Sequence, residues 1–129
     1  MLSAPRHALA ASASALLALA ACQEEAAPAD SIAVPSGRAV TFLDVITNAP
    51  GAEGATARFR FIAPGLKQGD DATADMEALC NSYALPRTDG MVPEPQQIII
   101  VLADREVPFG QAAPDAVQFF EAYSIQDGA

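Results

Sequence analysis

Residues 97–104 read Gln97-Ile98-Ile99-Ile100-Val101-Leu102-Ala103-Asp104. Six apolar residues stand in a row, and Ile98, Ile99, Ile100 and Val101 are β-branched. The run does not alternate as a half-exposed strand does, and it is too short for a core helix. It predicts a strand buried on both faces. Such a strand belongs at the centre of a sheet. Asp104-Arg105-Glu106 then marks its exit to solvent; three charges at a strand end can form a site, but more often they simply end the burial.

Upstream, residues 55–63 alternate. Thr56, Arg58, Arg60 and Ile62 share one face, and Ala57, Phe59, Phe61 and Ala63 share the other. The period of two makes a strand whose Phe side faces the core. Between these strands, Met76, Leu79, Cys80 and Tyr83 fall at helical spacing and predict a helix over residues 73–84. Asp71 or Thr73 is placed to cap it, Asp75 and Glu77 suit its positive end, and Pro86 should stop it. Residues 38–42 suggest a short strand. Thr41 ahead of Asp44, with Phe42, Val45 and Ile46 at helical spacing, turns it into a short helix. Residues 117–126 read two ways: as a strand, Val117, Phe119, Tyr123 and Ile125 share one face with Glu121 the misfit, and as a helix capped by Asp115, Val117, Phe120 and Ser124 line up less well, so the aromatics favour a last strand. Asp127-Gly128 after it suggests a hairpin turn. The expected fold class is α+β: a small, mostly antiparallel sheet with one main packed helix.

The N-terminus reads differently. Arg6 precedes an uncharged run of Ala, Ser and Leu over residues 8–21, the order of a secretory signal. As a helix it would reach roughly 21 Å at about 1.5 Å per residue, short of the roughly 30 Å hydrocarbon core. Leu19-Ala20-Ala21-Cys22 closes it and resembles the bacterial lipobox, in which the Cys thiol receives a diacylglyceryl group. Gln23 in place of Asp after that Cys favours the outer membrane over the inner, by the sorting rule of that class. The other reading is an ordinary A-x-A cleavage site at Ala18-Leu19-Ala20, which would leave a soluble periplasmic protein. The expected organisation is a lipoprotein-type signal over 1–21, a tether over 22–36 and a single domain over 37–129. The tether reading rests on Glu24, Glu25, Pro28, Asp30 and Pro35 among small residues without apolar period.

Charge and residue usage exclude several function classes. The 129-residue chain carries −9; from Cys22 onward six basic residues face sixteen acidic ones. The basic residues do not cluster, which argues against nucleic acid as a partner. The sole histidine is His7, inside the signal. Ser-His-Asp and Cys-His pairs, and nearly all catalytic zinc sites, therefore lack a member. Gly51-Ala52-Glu53-Gly54 lacks the Lys of a phosphate loop. A carboxylate pair such as Asp104 and Glu121 stays formally open, but a domain this small rarely forms a deep cleft. The expectation is no enzyme, no cofactor and no bound metal.

Three residue groups remain as candidate sites. Cys22 is the expected lipidation site, making the membrane a partner through its lipid. Arg58 and Arg60 project together, either as a clamp for an anion or as a solvated face paired with acids on a neighbouring strand. Asp70, Asp71, Asp75 and Glu77 offer oxygen ligands, yet the spacing of a calcium loop is absent and a helix start explains them. Cys80 on the helix stripe reads as a small buried apolar residue; were Cys22 left without lipid, a Cys22–Cys80 bridge would be open to it. The leading function is a non-enzymatic cell-envelope lipoprotein that contacts an envelope protein or the wall. The alternative is a periplasmic small-ligand or ion-binding domain.

Residues 98–104, the Val107-Pro108-Phe109-Gly110 turn, Gln118-Phe119-Phe120-Glu121-Ala122-Tyr123 and the Asp75-Met76-Glu77-Ala78-Leu79-Cys80 helix together resemble a known family. It is a domain-of-unknown-function family of small exported proteins from marine and phototrophic alphaproteobacteria, and the resemblance covers most of residues 36–128. It implies export and a small fold, and it carries no activity. Members continue past the Asp-Gly turn with a strand bearing a Cys and a Trp, which implies a partner for Cys80. This sequence ends at Ala129 and has no Trp. The resemblance thus implies a chain shortened at its C-terminus or one that has lost the bridge.

Replacing Cys22 with Ser tests the lipobox. The variant should leave the detergent phase and lose the mass of the lipid by intact mass spectrometry; unchanged mass and partitioning would refute lipidation there.

Overall fold

The computed structural model describes Ser3 and residues 30–51 and 54–125. Apart from Ser3, the expected signal lies outside the described residues, as do Cys22 and the Asp127-Gly128 turn. Among the described residues four strands form one sheet in the order β1-β2-β3-β4: β1 (Thr41–Gly51), β2 (Gly54–Ile62), β3 (Gln97–Ala103) and β4 (Gln118–Ser124). β1 pairs antiparallel with β2, and β3 antiparallel with β4. β2 and β3 run parallel. Parallel neighbours need a long crossover, and a helix usually supplies it. Here that is α1, residues 73–87. Among the described residues the fold is α+β, with one helix on a mostly antiparallel sheet.

The core lies between α1 and one face of the sheet. Phe59, Phe61, Ile98, Ile100 and Leu102 project from the strands. Met76, Leu79, Cys80 and Ala84 meet them from the helix. Phe42 and Tyr83 close one side, their rings packing with each other and with Phe61 at centroid distances of 5.1–5.8 Å. β3 is covered above and below, as its six-residue apolar run requires: Val101 and Ala103, pointing away from the helix, are buried too.

Two local expectations are corrected. Residues 43–46 are strand, not a short helix. A register shift falls between Phe42 and Asp44, where Leu43 is the extra residue of a β-bulge. It places Phe42 and Val45, three apart, on the same face of a strand, and that spacing imitates a helix. The helix also runs past Pro86. It is wound as α over Thr73–Ala78, as π over Leu79–Ala84 and as α again over Leu85–Arg87. The wider turn just ahead of Pro86 is where a missing N–H and a bulky ring disrupt least.

Residues 31–36, inside the stretch read as tether, lie on the domain. Ile32 N–H donates to the Val40 carbonyl at 2.8 Å, and Ile32 and Val34 pack against the core. Gly54 opens β2 at φ 84°, and a Cβ there would run into the Gln96 side chain.

Phe59→Ala should cost about 3–5 kcal/mol by leaving a cavity beneath the helix. Phe120→Ala, on the exposed side of edge strand β4, should cost less than about 1 kcal/mol. Urea denaturation of the two variants checks the contrast; equal losses would contradict this core assignment.

Candidate functional site

The sheet face away from α1 carries the charged side chains of β2. Strand register arranges this face in rows. Asp44, Arg60, Val101 and Phe120 make one row; Ile46, Arg58, Ile99 and Ala122 make the next. The bulge at Leu43 is what turns Asp44 to this side. Arg60 therefore faces a carboxylate, while Arg58 sits between two isoleucines.

The two arginines accordingly differ in their partners. Arg60 Nε and Nη2 donate to the two Asp44 carboxylate oxygens at 2.6 and 2.5 Å, and Nη1 donates to the Val107 carbonyl at 2.6 Å. The bond to Asp44 holds the guanidinium pKa above its ordinary value, against burial, with charge contributions from Asp44 and Glu106. This is the paired strand face. Arg58 has no carboxylate partner among the described residues, and its Nε is buried without an acceptor. Its guanidinium carbon lies 5.6 Å from the centre of the Phe109 ring.

Phe109 arrives on the loop over residues 105–116, whose ends are held together. Asp104 N–H donates to the Val117 carbonyl at 2.9 Å, and Val117 N–H donates to Asp104 Oδ1 at 3.1 Å. A compact loop with closed ends is a common carrier of binding residues. Val107 is buried beneath it, and the Arg60 bond to its carbonyl pins the loop over the sheet. Between loop and sheet lies a cavity of about 210 Å³, lined by Arg58, Arg60, Val101, Phe109, Gln118 and Phe120 among others. Phe109 and Phe120 are 54% and 56% exposed at its rim.

The acidic residues near the helix start are engaged by protein groups. Asp75 is only 2% exposed. It accepts from Ser36 N–H at 3.0 Å, Ser36 Oγ at 2.5 Å and Arg38 Nε at 2.8 Å. Asp70 accepts from Arg38 and from Lys67 N–H, and Asp71 accepts from Thr73 N–H. Asp71 thus serves the helix start from one residue before the Ala72 cap position. Among the described residues no three His, Cys, Asp or Glu side chains come together to hold a metal ion.

Asp104 and Glu121 are not brought together. Asp104 is bound by Arg105 and Val117, which hold its pKa below the ordinary value, whereas Glu121 stands opposite Ile100 on the helix side of the sheet. Arg105 of the charged strand exit is thereby tied to its neighbour. Cys80 is a free, buried thiol. Burial, and then the charge of Glu77, raise its pKa and leave it an unreactive thiol. Sequence reasoning missed the Arg38–Asp75 pair, which spans 37 residues, and the role of Phe109. No local pattern signals either.

A family model described as a family of unknown function (DUF6497) matches residues 12–129, and the chain belongs to that family. No match is found among curated proteins or among solved structures.

The Asp75 cluster carries a pH signature. Burial works to raise the carboxyl pKa, but the hydrogen bonds from Ser36 and Arg38 outweigh it, and the net shift is downward from 3.8. A carboxyl depressed in the folded state stabilises above its unfolded pKa, and that stability is lost as pH falls through the folded value. Asp75→Asn should cost about 1–3 kcal/mol at pH 7 and should flatten part of the loss below about pH 4. Denaturation midpoints at pH 7 and pH 3 check this; an equal penalty at both would be the contrary result.

Proposed function

We propose that this DUF6497 member is a non-enzymatic protein of the cell envelope. Lipid on Cys22 holds it to the membrane facing the periplasm, and its open sheet face engages an envelope partner. The observation that carries the partner surface is the pairing of exposed Phe109 and Phe120 around the cavity at Arg58. Two half-exposed aromatic rings beside an arginine have the composition of a contact surface, since aromatics and Arg dominate binding energy at interfaces. The opposite face is closed by α1, so the open face is the side of the sheet left to meet a partner.

The export and lipid part of the reading rests on Arg6, residues 8–21 and Leu19-Ala20-Ala21-Cys22. The outer membrane is favoured over the inner because Gln23 follows the Cys. The non-catalytic part is supported by the lack of a histidine beyond His7 and by the separation of Asp104 from Glu121. No nucleic acid is proposed as a partner, because four of the six basic residues after the signal are tied to acids or backbone carbonyls: Arg38, Arg60, Arg87 and Arg105.

A photo-crosslinking residue at position 120, in full-length protein within native envelopes, should give a discrete protein adduct. The same probe at position 82, on the outer side of α1, should not. Equal labelling from both positions, or none from position 120, would refute the open face as the partner surface.

A further inference from the structure

One nitrogen of the half-buried Arg58 guanidinium is costly where it stands. Arg58 is flanked in register by Ile46 and Ile99, its Nε is buried without an acceptor, and no carboxylate among the described residues meets it. Burying an N–H without an acceptor is unfavourable. The neighbouring Arg60 shows what this sheet does when a guanidinium is structural: it supplies Asp44 in the next strand and the Val107 carbonyl from the loop. Arg58 is supplied with neither. It is supplied with a cavity.

We propose that this cavity binds a small monovalent carboxylate with an apolar or aromatic body, the carboxylate accepting from Arg58 and the body lying against Phe109, Phe120 and Val101. The proposal deepens the reading of the open face as a binding surface. Four features select the ligand. A guanidinium is a planar fork that matches a carboxylate. One arginine is uncommitted, so one negative charge is answered. Arg60, the other guanidinium lining the cavity, is already answered by Asp44, so the second charge of a phosphate dianion would find no free partner. The size also fits: the cavity is about 210 Å³, and an apolar cavity of about 150 Å³ is enough for benzene. Two sources present this chemistry, a free small acid and the C-terminal residue of a peptide.

The test titrates full-length protein in detergent with benzoate, benzamide and inorganic phosphate, read by calorimetry. Benzoate should bind saturably in the millimolar range, and benzamide and phosphate at least tenfold more weakly. Arg58→Met should weaken benzoate at least tenfold while melting no lower than the parent, because it removes a buried N–H that no acceptor answers. Phe109→Ala, on an exposed loop, gives a second variant and should weaken benzoate severalfold. A short peptide ending in a free carboxylate that binds tighter than benzoate, and fails when amidated, identifies a chain terminus as the source; binding of benzoate alone identifies a free acid. Benzamide or phosphate binding as well as benzoate, no saturation by 50 mM, or benzoate binding unchanged in Arg58→Met would each overturn the site. So would a marked drop in the melting temperature of Arg58→Met. If crosslinking through position 120 persists while benzoate does not bind, the carboxylate site fails and the partner surface stands.

Discussion

The parallel pairing of β2 with β3 is the constraint on which the rest depends. Two strands that run the same way cannot be joined by a tight turn, so the chain between them must leave the sheet and return. Residues 73–87 use that excursion to cover one face with a helix. The same pairing puts β2 in the interior of the sheet, between β1 and β3. Arg58 and Arg60 are thereby held mid-sheet, where each side chain's neighbours are decided by register and not by solvent. One guanidinium receives a carboxylate and a carbonyl, and the other receives two isoleucines and a ring.

The fold was legible where burial writes itself into composition. Residues 98–103 read as a strand covered on both sides, and they are. The alternation over residues 55–63 assigned Phe59 and Phe61 to the core, and Met76, Leu79, Cys80 and Tyr83 marked the helix face; the structure places all of them accordingly. The strand at residues 118–124 was legible too, with Glu121 tolerated at the margin of the helix side because β4 is an edge. What was not legible came from single residues that alter periodicity. Leu43 inserts a bulge, and the pattern of residues 42–46 then imitates a helix. Pro86 predicts a helix end, and a widened turn absorbs it.

The candidate site was legible only in part. Arg58 and Arg60 were bound to share a face, since strand side chains alternate. Which of them would be answered depended on whether Asp44 or Ile46 came opposite, and register across a hairpin with a bulge is not written in either strand alone. The long-range pair of Arg38 and Asp75 was hidden for a related reason. Asp75 looks like an ordinary acid in a first helical turn, yet it is turned inward to hold Ser36 and Arg38.

That inward turn changes the leash on the domain. With Ser36 and Arg38 clasped to the helix, and Ile32 hydrogen-bonded to Val40, the folded body takes hold of its N-terminal segment near Ser31. A lipid on Cys22 would then be separated from it by nine residue steps, not by the fifteen that lead to Gly37. Even fully stretched, nine steps reach about 30 Å where fifteen would reach about 50 Å. The volume the domain could sweep above a membrane scales roughly with the cube of that reach, so the clasp would cut it about fivefold. A partner for the open face would have to project to within a domain's width of the bilayer.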